Sequence, residues 1–325
     1  MMRTKSKSKS GRQRPIMVAI GSPGRTALPA LRKAAALAKS RGAGVHLVHI
    51  VAVPHGSIVV AGAIVRSAAE AEIRSAKAQL LKLAQGPVLR GVPTAVTASW
   101  DYPAADGIIR QVMKHRPQLL LAQSHRHGAF ARVWLSNTDW ELIRQCPCPL
   151  WLSKTTGSRS NARVLAAVDP FHAHEKPGVL DDVILRHALE VAGADPRKVL
   201  ACHTYSLPQP VIIDGAVAGY WMSDKEREAY EEWVRKRVAA VAARRAIPTA
   251  NILVAAGDPV YQLPRIAKKQ GVGVVVMGAV SRSGLKRLFI GHTAERVIDE
   301  LSCDVLIVKP RGFKSNVPRR IRLMT

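Results

Sequence analysis

Residues 277–293, MGAVSRSGLKRLFIGHT, form a glycine-rich stretch that is the first candidate for a binding site. Gly278, Gly284 and Gly291 would let backbone N–H groups approach anionic oxygens closely. The apolar run 272–276 precedes this loop and the helical pattern AERVIDELSCD follows it. The loop therefore falls where an open α/β sheet binds ligands, beyond the carboxyl end of a strand and before a helix N-terminus. The same glycines also suit plain turns that need positive φ, so residue type alone leaves both readings open.

Other chemistry finds little support. GSPG after the first strand is too short for a Walker loop, and no Ser-x-x-Lys, nucleophile elbow or paired carboxylates occur. His172 and His174 adjoin Glu175, but no third metal ligand is implied, and an exposed loop is expected there. Cys146 and Cys148 in CPCP lack zinc-knuckle spacing. With Cys202 and Cys303 they read as reduced thiols, too scattered for a disulfide framework. His46 and His49, inside the apolar run VHLVHIVAV, read as packed or edge residues. No catalytic residue and no metal site is expected.

The elements that must position the loop follow from composition and order. The 325 residues suffice for two domains, and 47% are hydrophobic but only 5% aromatic, so the cores must be aliphatic. No apolar run is long enough to cross a membrane, and the basic N-terminus lacks a secretory apolar segment. A soluble, cytoplasmic protein is expected.

The formal net charge is +26, from 49 basic and 23 acidic residues. Residues 1–14 and 309–325 each carry six basic residues and no acid; 15–155 carry 17 against six, and 156–308 carry 20 against 17. Such an excess is either a solvated surface or an attraction to nucleic acid, anionic lipid or polyphosphate. Without interleaved aromatics or a nucleic-acid module, specific nucleic-acid recognition is not expected.

Short β-branched runs alternate with helical patterns in the order βαβαβαβαβ, and from residue 163 the same order begins again. Setting Thr138 on Thr293 without gaps puts Cys148 on Cys303, which marks an internal duplication. TTGSRSN, 155–161, is the linker. The expected domains are 15–154 and 162–310, with basic flexible tails at 1–14 and 311–325. A helix is expected over 65–85, and the preceding 58–65 and its counterpart 210–221 are unusually apolar connections. These either cover the core or line a cavity for an apolar or amphiphilic ligand.

Duplication, loop and endings together resemble a tandem universal stress protein, over nearly all of 15–310. Nucleotide-binding members of that family carry Gly-x-x-Gly, nine residues, then Gly-Ser or Gly-Thr after the fourth strand. Gly278 and Gly291 match the outer positions, while Ser281 replaces the second glycine and His292 the hydroxyl residue. Asp169 matches the family's acidic residue at the end of the first strand; Gly21 stands there in the first half. CPCPLWL and CDVLIVK echo the family's closing strand.

The resemblance implies an α/β fold of two tandem doubly wound Rossmann-like domains, each a five-stranded parallel sheet with helices on both faces. They would pack as a pseudo-dimer through their last strands, with Trp134, Trp140 and Trp151 at the interface. It also implies a stress-response binding or regulatory module. ATP or a related nucleotide would be held in the second half by Gly278, Ser281, Arg282, Gly291, His292 and Thr293, with Asp169 beside the nucleoside or an accompanying cation. Weak ATP hydrolysis is the enzymatic alternative, and association with anionic surfaces through the basic first half and tails a third. In the first half Gln123, Arg126, Ser136 and Asn137 replace the loop positions, so family-type binding is not expected there. His125-Arg126-His127 would be solvated or would hold an anion by side chains.

Overall fold

The computed structural model describes residues 13–25, 28–53, 55–124, 135–154, 162–171, 180–207, 211–213, 216–218, 222–279 and 291–320. The first half runs β1 (Ile16–Ala19), α1 (Pro29–Arg41), β2 (Val45–Val51), α2 (His55–Gln85), β3 (Thr94–Trp100), α3 (Ala104–His115), β4 (Leu119–Gln123), α4 (Asn137–Gln145) and β5 (Leu150–Ser153). The second half repeats the order with β6 (Arg163–Ala167), α5 (Leu180–Val191), β7 (Val199–Tyr205), a hairpin of β8 (Val211–Ile213) and β9 (Ala216–Ala218), and α6 (Asp224–Ala243). It closes with β10 (Ile252–Ala256), α7 (Pro259–Lys269), β11 (Val272–Gly278), α8 (His292–Glu300) and β12 (Asp304–Val308).

Within each half the strands pair in parallel, as β3-β2-β1-β4-β5 and β10-β7-β6-β11-β12. Their continuous Val, Leu and Ile runs reflect helices covering both faces of the sheet. Ile16 and Val18 point into one core with α1, α2, α5 and α6, whereas Met17 and Ala19 point into the other with α3, α4, α7 and α8. Both cores run through both halves.

The last strands join the halves. β5 and β12 pair antiparallel, with Leu152 opposite Val305 and Leu150 opposite Ile307, so the two sheets become one of ten strands. The expected pseudo-dimer is formed, and each closing strand covers an edge the other would expose. At this seam Asp304, only 1% exposed, accepts from Lys33 Nζ at 2.6 Å, Trp151 Nε1 at 2.8 Å and the Lys154 backbone N–H at 3.0 Å. Lys154 Nζ in turn donates to the carbonyls of Ile298 and Leu301, and its burial pulls its pKa down to about 8. Trp140 packs partly buried against the core, beside Arg144, which reaches Glu295 of the other half at 3.0 Å. Trp134 lies outside the described residues.

Three features differ from the sequence expectations. α2 starts at His55, not near 65: no proline interrupts 55–86, and extending a helix costs less than nucleating one. The counterpart connection contains instead the antiparallel β8–β9 pair, with Val211 opposite Ala218 and Ile213 opposite Ala216. The side chains of 55–65, 211–213 and 216–218 lie outside the described residues, and with them the notion of an apolar ligand cavity. Finally, residues 311–320 do not hang free but dock on the first half. Arg110 Nε donates to the Pro318 carbonyl at 2.9 Å, the Asn316 N–H to Gln145 Oε1 at 3.1 Å, and Val317 is buried in the core. One apolar residue and backbone hydrogen bonds outweigh the charge that made this stretch read as solvated. Among the described residues no helix is long and apolar enough to cross a membrane.

Candidate functional site

β6 and β11 are the neighbouring strands from which the second half winds in opposite directions, so the crevice beyond their carboxyl ends is its topological switch point. In register Ala167 faces Met277, which brings Asp169, two residues past β6, next to the end of β11 at Gly278. The Asp169 N–H donates to Asp181 Oδ1 at 3.1 Å, and Asp169 Oδ1 accepts from the Phe171 N–H at 3.3 Å. His203 Nδ1 lies 2.9 Å from the Val168 carbonyl and its ring 5.3 Å from Phe171. Phe171 then stacks toward Trp233 at 4.9 Å, and Trp233 toward Tyr230 at 5.5 Å. Sequence order gave no sign of this aromatic wall beside Asp169, because its members come from a loop, β7 and α6.

Gly278 has a packing reason to be glycine. A Cβ there would meet Leu180 Cδ2 at 2.6 Å, since α5 enters directly against the strand end. Gly291 is different. It caps α8 with φ −57°, an ordinary conformation, offers no side chain to the helix's N–H groups, and a Cβ there would meet nothing within 4 Å among the described residues. No backbone strain therefore calls for a glycine there. Thr293 is exposed in the first turn of α8 and His292 opens the helix, its side chain outside the described residues. Ser281 and Arg282 lie outside the described residues altogether. Asp169 and Gly278 thus sit at adjacent strand ends, and Gly291 to Thr293 at the start of the helix leading into β12, the neighbour of β11.

The first half closes the same positions with its own side chains. Gln123, the counterpart of Gly278, accepts from the Ala30 N–H of α1 at 3.1 Å through Oε1 and donates to the Ser153 carbonyl at 3.0 Å through Nε2. Ser136, the counterpart of Gly291, forms a reciprocal cap on α4: its Oγ accepts from the Asp139 N–H, and Asp139 Oδ2 accepts from the Ser136 N–H at 2.9 Å. Asp139 is buried, so a carboxylate already occupies the electropositive end of that helix. The capping box is a sequence signature, Ser136 followed three residues later by an acid, and could have been read from the chain. His125, Arg126 and His127 lie outside the described residues.

The family model for universal stress proteins, described as the Universal stress protein family, matches residues 13–154 and again 162–309. The chain belongs to the universal stress protein family. It is 28% identical over 233 residues to Universal stress protein E of Escherichia coli strain K12, covering 70% of this chain and 72% of that one. Among solved structures it resembles a putative universal stress protein from Pseudomonas aeruginosa, with TM-score 0.68, 25% identity and coverage of 92% and 94%. A universal stress protein from Archaeoglobus fulgidus aligns over 91% of this chain and 99% of that one at TM-score 0.63 and 15% identity, which speaks to the fold.

Elsewhere several histidines are engaged in packing and internal hydrogen bonds. His46 Nε2 lies 2.8 Å from Thr97 Oγ1, its ring edge-on to His115 at 4.4 Å, and burial with the neighbouring His115 and Lys114 pulls its pKa down to about 4. His49 Nδ1 lies 2.7 Å from the Ile20 carbonyl. The four cysteines are free thiols. Among the described residues no three His, Cys, Asp or Glu side chains converge as a metal site.

Proposed function

We propose that this universal stress protein is a cytoplasmic stress-response binding module, without efficient catalysis, that takes ATP or a related nucleotide in the second half only. The observation that carries this reading is the asymmetry of the duplicated crevices. Gln123 and the Ser136–Asp139 cap fill the first, whereas at the second Gly291 leaves the helix N-terminus without a side-chain cap. At the α8 N-terminus, N–H groups uncapped by Gly291 favour phosphate. Asp169 and the Phe171 wall are then placed beside the nucleoside, the carboxylate accepting from ribose hydroxyls and the ring offering an apolar face. In this reading Ser281, Arg282, His292 and Thr293 complete the phosphate contacts.

Calorimetric titration with ATP tests the proposal, using Gly291→Trp as the control because it places a large side chain at the helix N-terminus where the phosphates would lie. Saturable binding by the wild-type chain that Gly291→Trp abolishes, with phosphate release no faster than in that variant, is the expected result. ATP binding untouched by Gly291→Trp would remove the site, and turnover lost in that variant would make the protein a hydrolase.

A further inference from the structure

At the opposite end of the sheet, a cleft of about 1130 Å³ opens between the halves, below the segments that lead into β1, β4 and β5. Five arginines line it. Arg14, Arg41 and Arg116 come from the first half, Arg186 from α5 of the second, and Arg319 from the docked C-terminal segment. One carboxylate, Glu190, faces them, and it is already engaged by His187 at 3.0 Å and more loosely by Arg41 at 3.9 Å. α1, α3 and α5 all end here, and three helix ends offset only about one and a half positive charges. A net positive charge remains.

Two details separate this cleft from an ordinary basic surface. Arg186 Nε is buried with no hydrogen-bond partner among the described residues, so a donor of a planar guanidinium is held out of water and unused. Arg116 sits at φ 46°, a left-handed conformation that non-glycine residues disfavour. The duplication supplies its counterpart, Gly271, at φ 62°, so the second half keeps the residue the backbone prefers while the first half places an arginine there. Gln118 braces the cluster, accepting from Arg41 at 2.9 Å and donating to the Arg14 carbonyl at 2.8 Å.

We infer that this cleft is a binding site for a compact, phosphate-rich anion such as a linear oligophosphate. Arginine forks match phosphate oxygens in pairs. Among the described residues the lining contains no Phe, Tyr or Trp on which a nucleobase could stack, which favours a phosphate chain over single-stranded nucleic acid. The site exists only with both halves and the C-terminal segment docked, and a ligand there holds all three together.

Calorimetry and thermal melting of the full chain with sodium tripolyphosphate test this. Expected are saturable binding that weakens with added salt, a raised melting temperature, and a loss of affinity of about tenfold or more in each of Arg116→Asn, Arg186→Gln and Arg319→Glu. Asn tolerates the left-handed backbone and Arg319 is exposed, so those two variants keep the fold. Gly291→Trp is expected to bind tripolyphosphate as the wild type does, which separates this site from the nucleotide crevice. No binding at low salt, or binding lost in Gly291→Trp but kept in the arginine variants, overturns the inference. A single-stranded DNA 12-mer that binds more tightly than tripolyphosphate through the same arginines overturns it in favour of nucleic acid.

Discussion

Replacing Asp304 by alanine should uncouple the seam between the halves. The carboxylate accepts from Lys33, Trp151 and the Lys154 backbone in a site almost sealed from water, and Lys33 Nζ retains Ser153 Oγ at 2.9 Å. Breaking a buried ion pair by removing one partner costs about 3–5 kcal/mol, because the remaining charge stays desolvated. The two neutral donors left behind each add about 1 kcal/mol if no water replaces the oxygen. A loss of about 5–7 kcal/mol is expected, which lowers the melting temperature by about 10 °C or more for a unit of this size. Urea unfolding followed by tryptophan fluorescence and by far-ultraviolet circular dichroism measures it. The double variant Lys33→Met, Asp304→Leu should lose less than Asp304→Ala alone, since it buries no unpaired charge. A loss below about 1 kcal/mol in Asp304→Ala, or a double variant worse than the single, would refute the claim that this ion pair is an uncompensated charge when halved.

Three further outcomes follow from the same geometry. Gly278→Val should cost about 2–3 kcal/mol by overpacking against Leu180, and Leu180→Ala added to it should recover part of that, whereas Gly291→Trp should change stability by less than about 0.5 kcal/mol in chemical unfolding. His46 titrates near pH 4 in the folded chain against about 6.5 unfolded, so the unfolded state binds the extra proton between those values; its contribution is complete above pH 6.5 and is lost as pH falls toward 4. A proton NMR titration should place its pKa there, and His46→Gln should flatten the acid limb of the stability curve. Truncation after Pro310 removes the buried Val317 and its neighbouring hydrogen bonds and should cost about 2 kcal/mol in thermal or urea unfolding; an unchanged melting curve would show that the segment contributes nothing in solution.

Element order, duplication and the pairing of the last strands were legible from the chain because they rest on long periodic runs and a fixed offset between repeats. The seam could be anticipated as a strand pair, but not its ion pair: Lys33 and Asp304 are 271 residues apart, and nothing local marks either as buried. That Asp169 and Gly278 stand at neighbouring strand ends was legible too, because they end or follow strands whose order the topology dictates. What the residue types misled about was the reason for Gly278, where the glycine answers to Leu180. Residues 311–320 read as tail because composition weighs four charges and a proline above one valine, whereas docking depends on whether a particular surface has room for that valine.

The antiparallel join of β5 and β12 also has an evolutionary and physical consequence. Two separate chains that dimerise through closing strands must keep identical surfaces, and a change that improves one site alters both. Here the partner is supplied covalently, at a local concentration that dilution cannot lower. Each half is therefore assured of a neighbour whatever becomes of its own crevice. Gln123 and Asp139 can seal one pocket while the other stays bare, and Arg116 can replace a turn glycine on one side only. The tether lets a symmetric architecture carry unequal halves without ever forming a mixture of matched pairs.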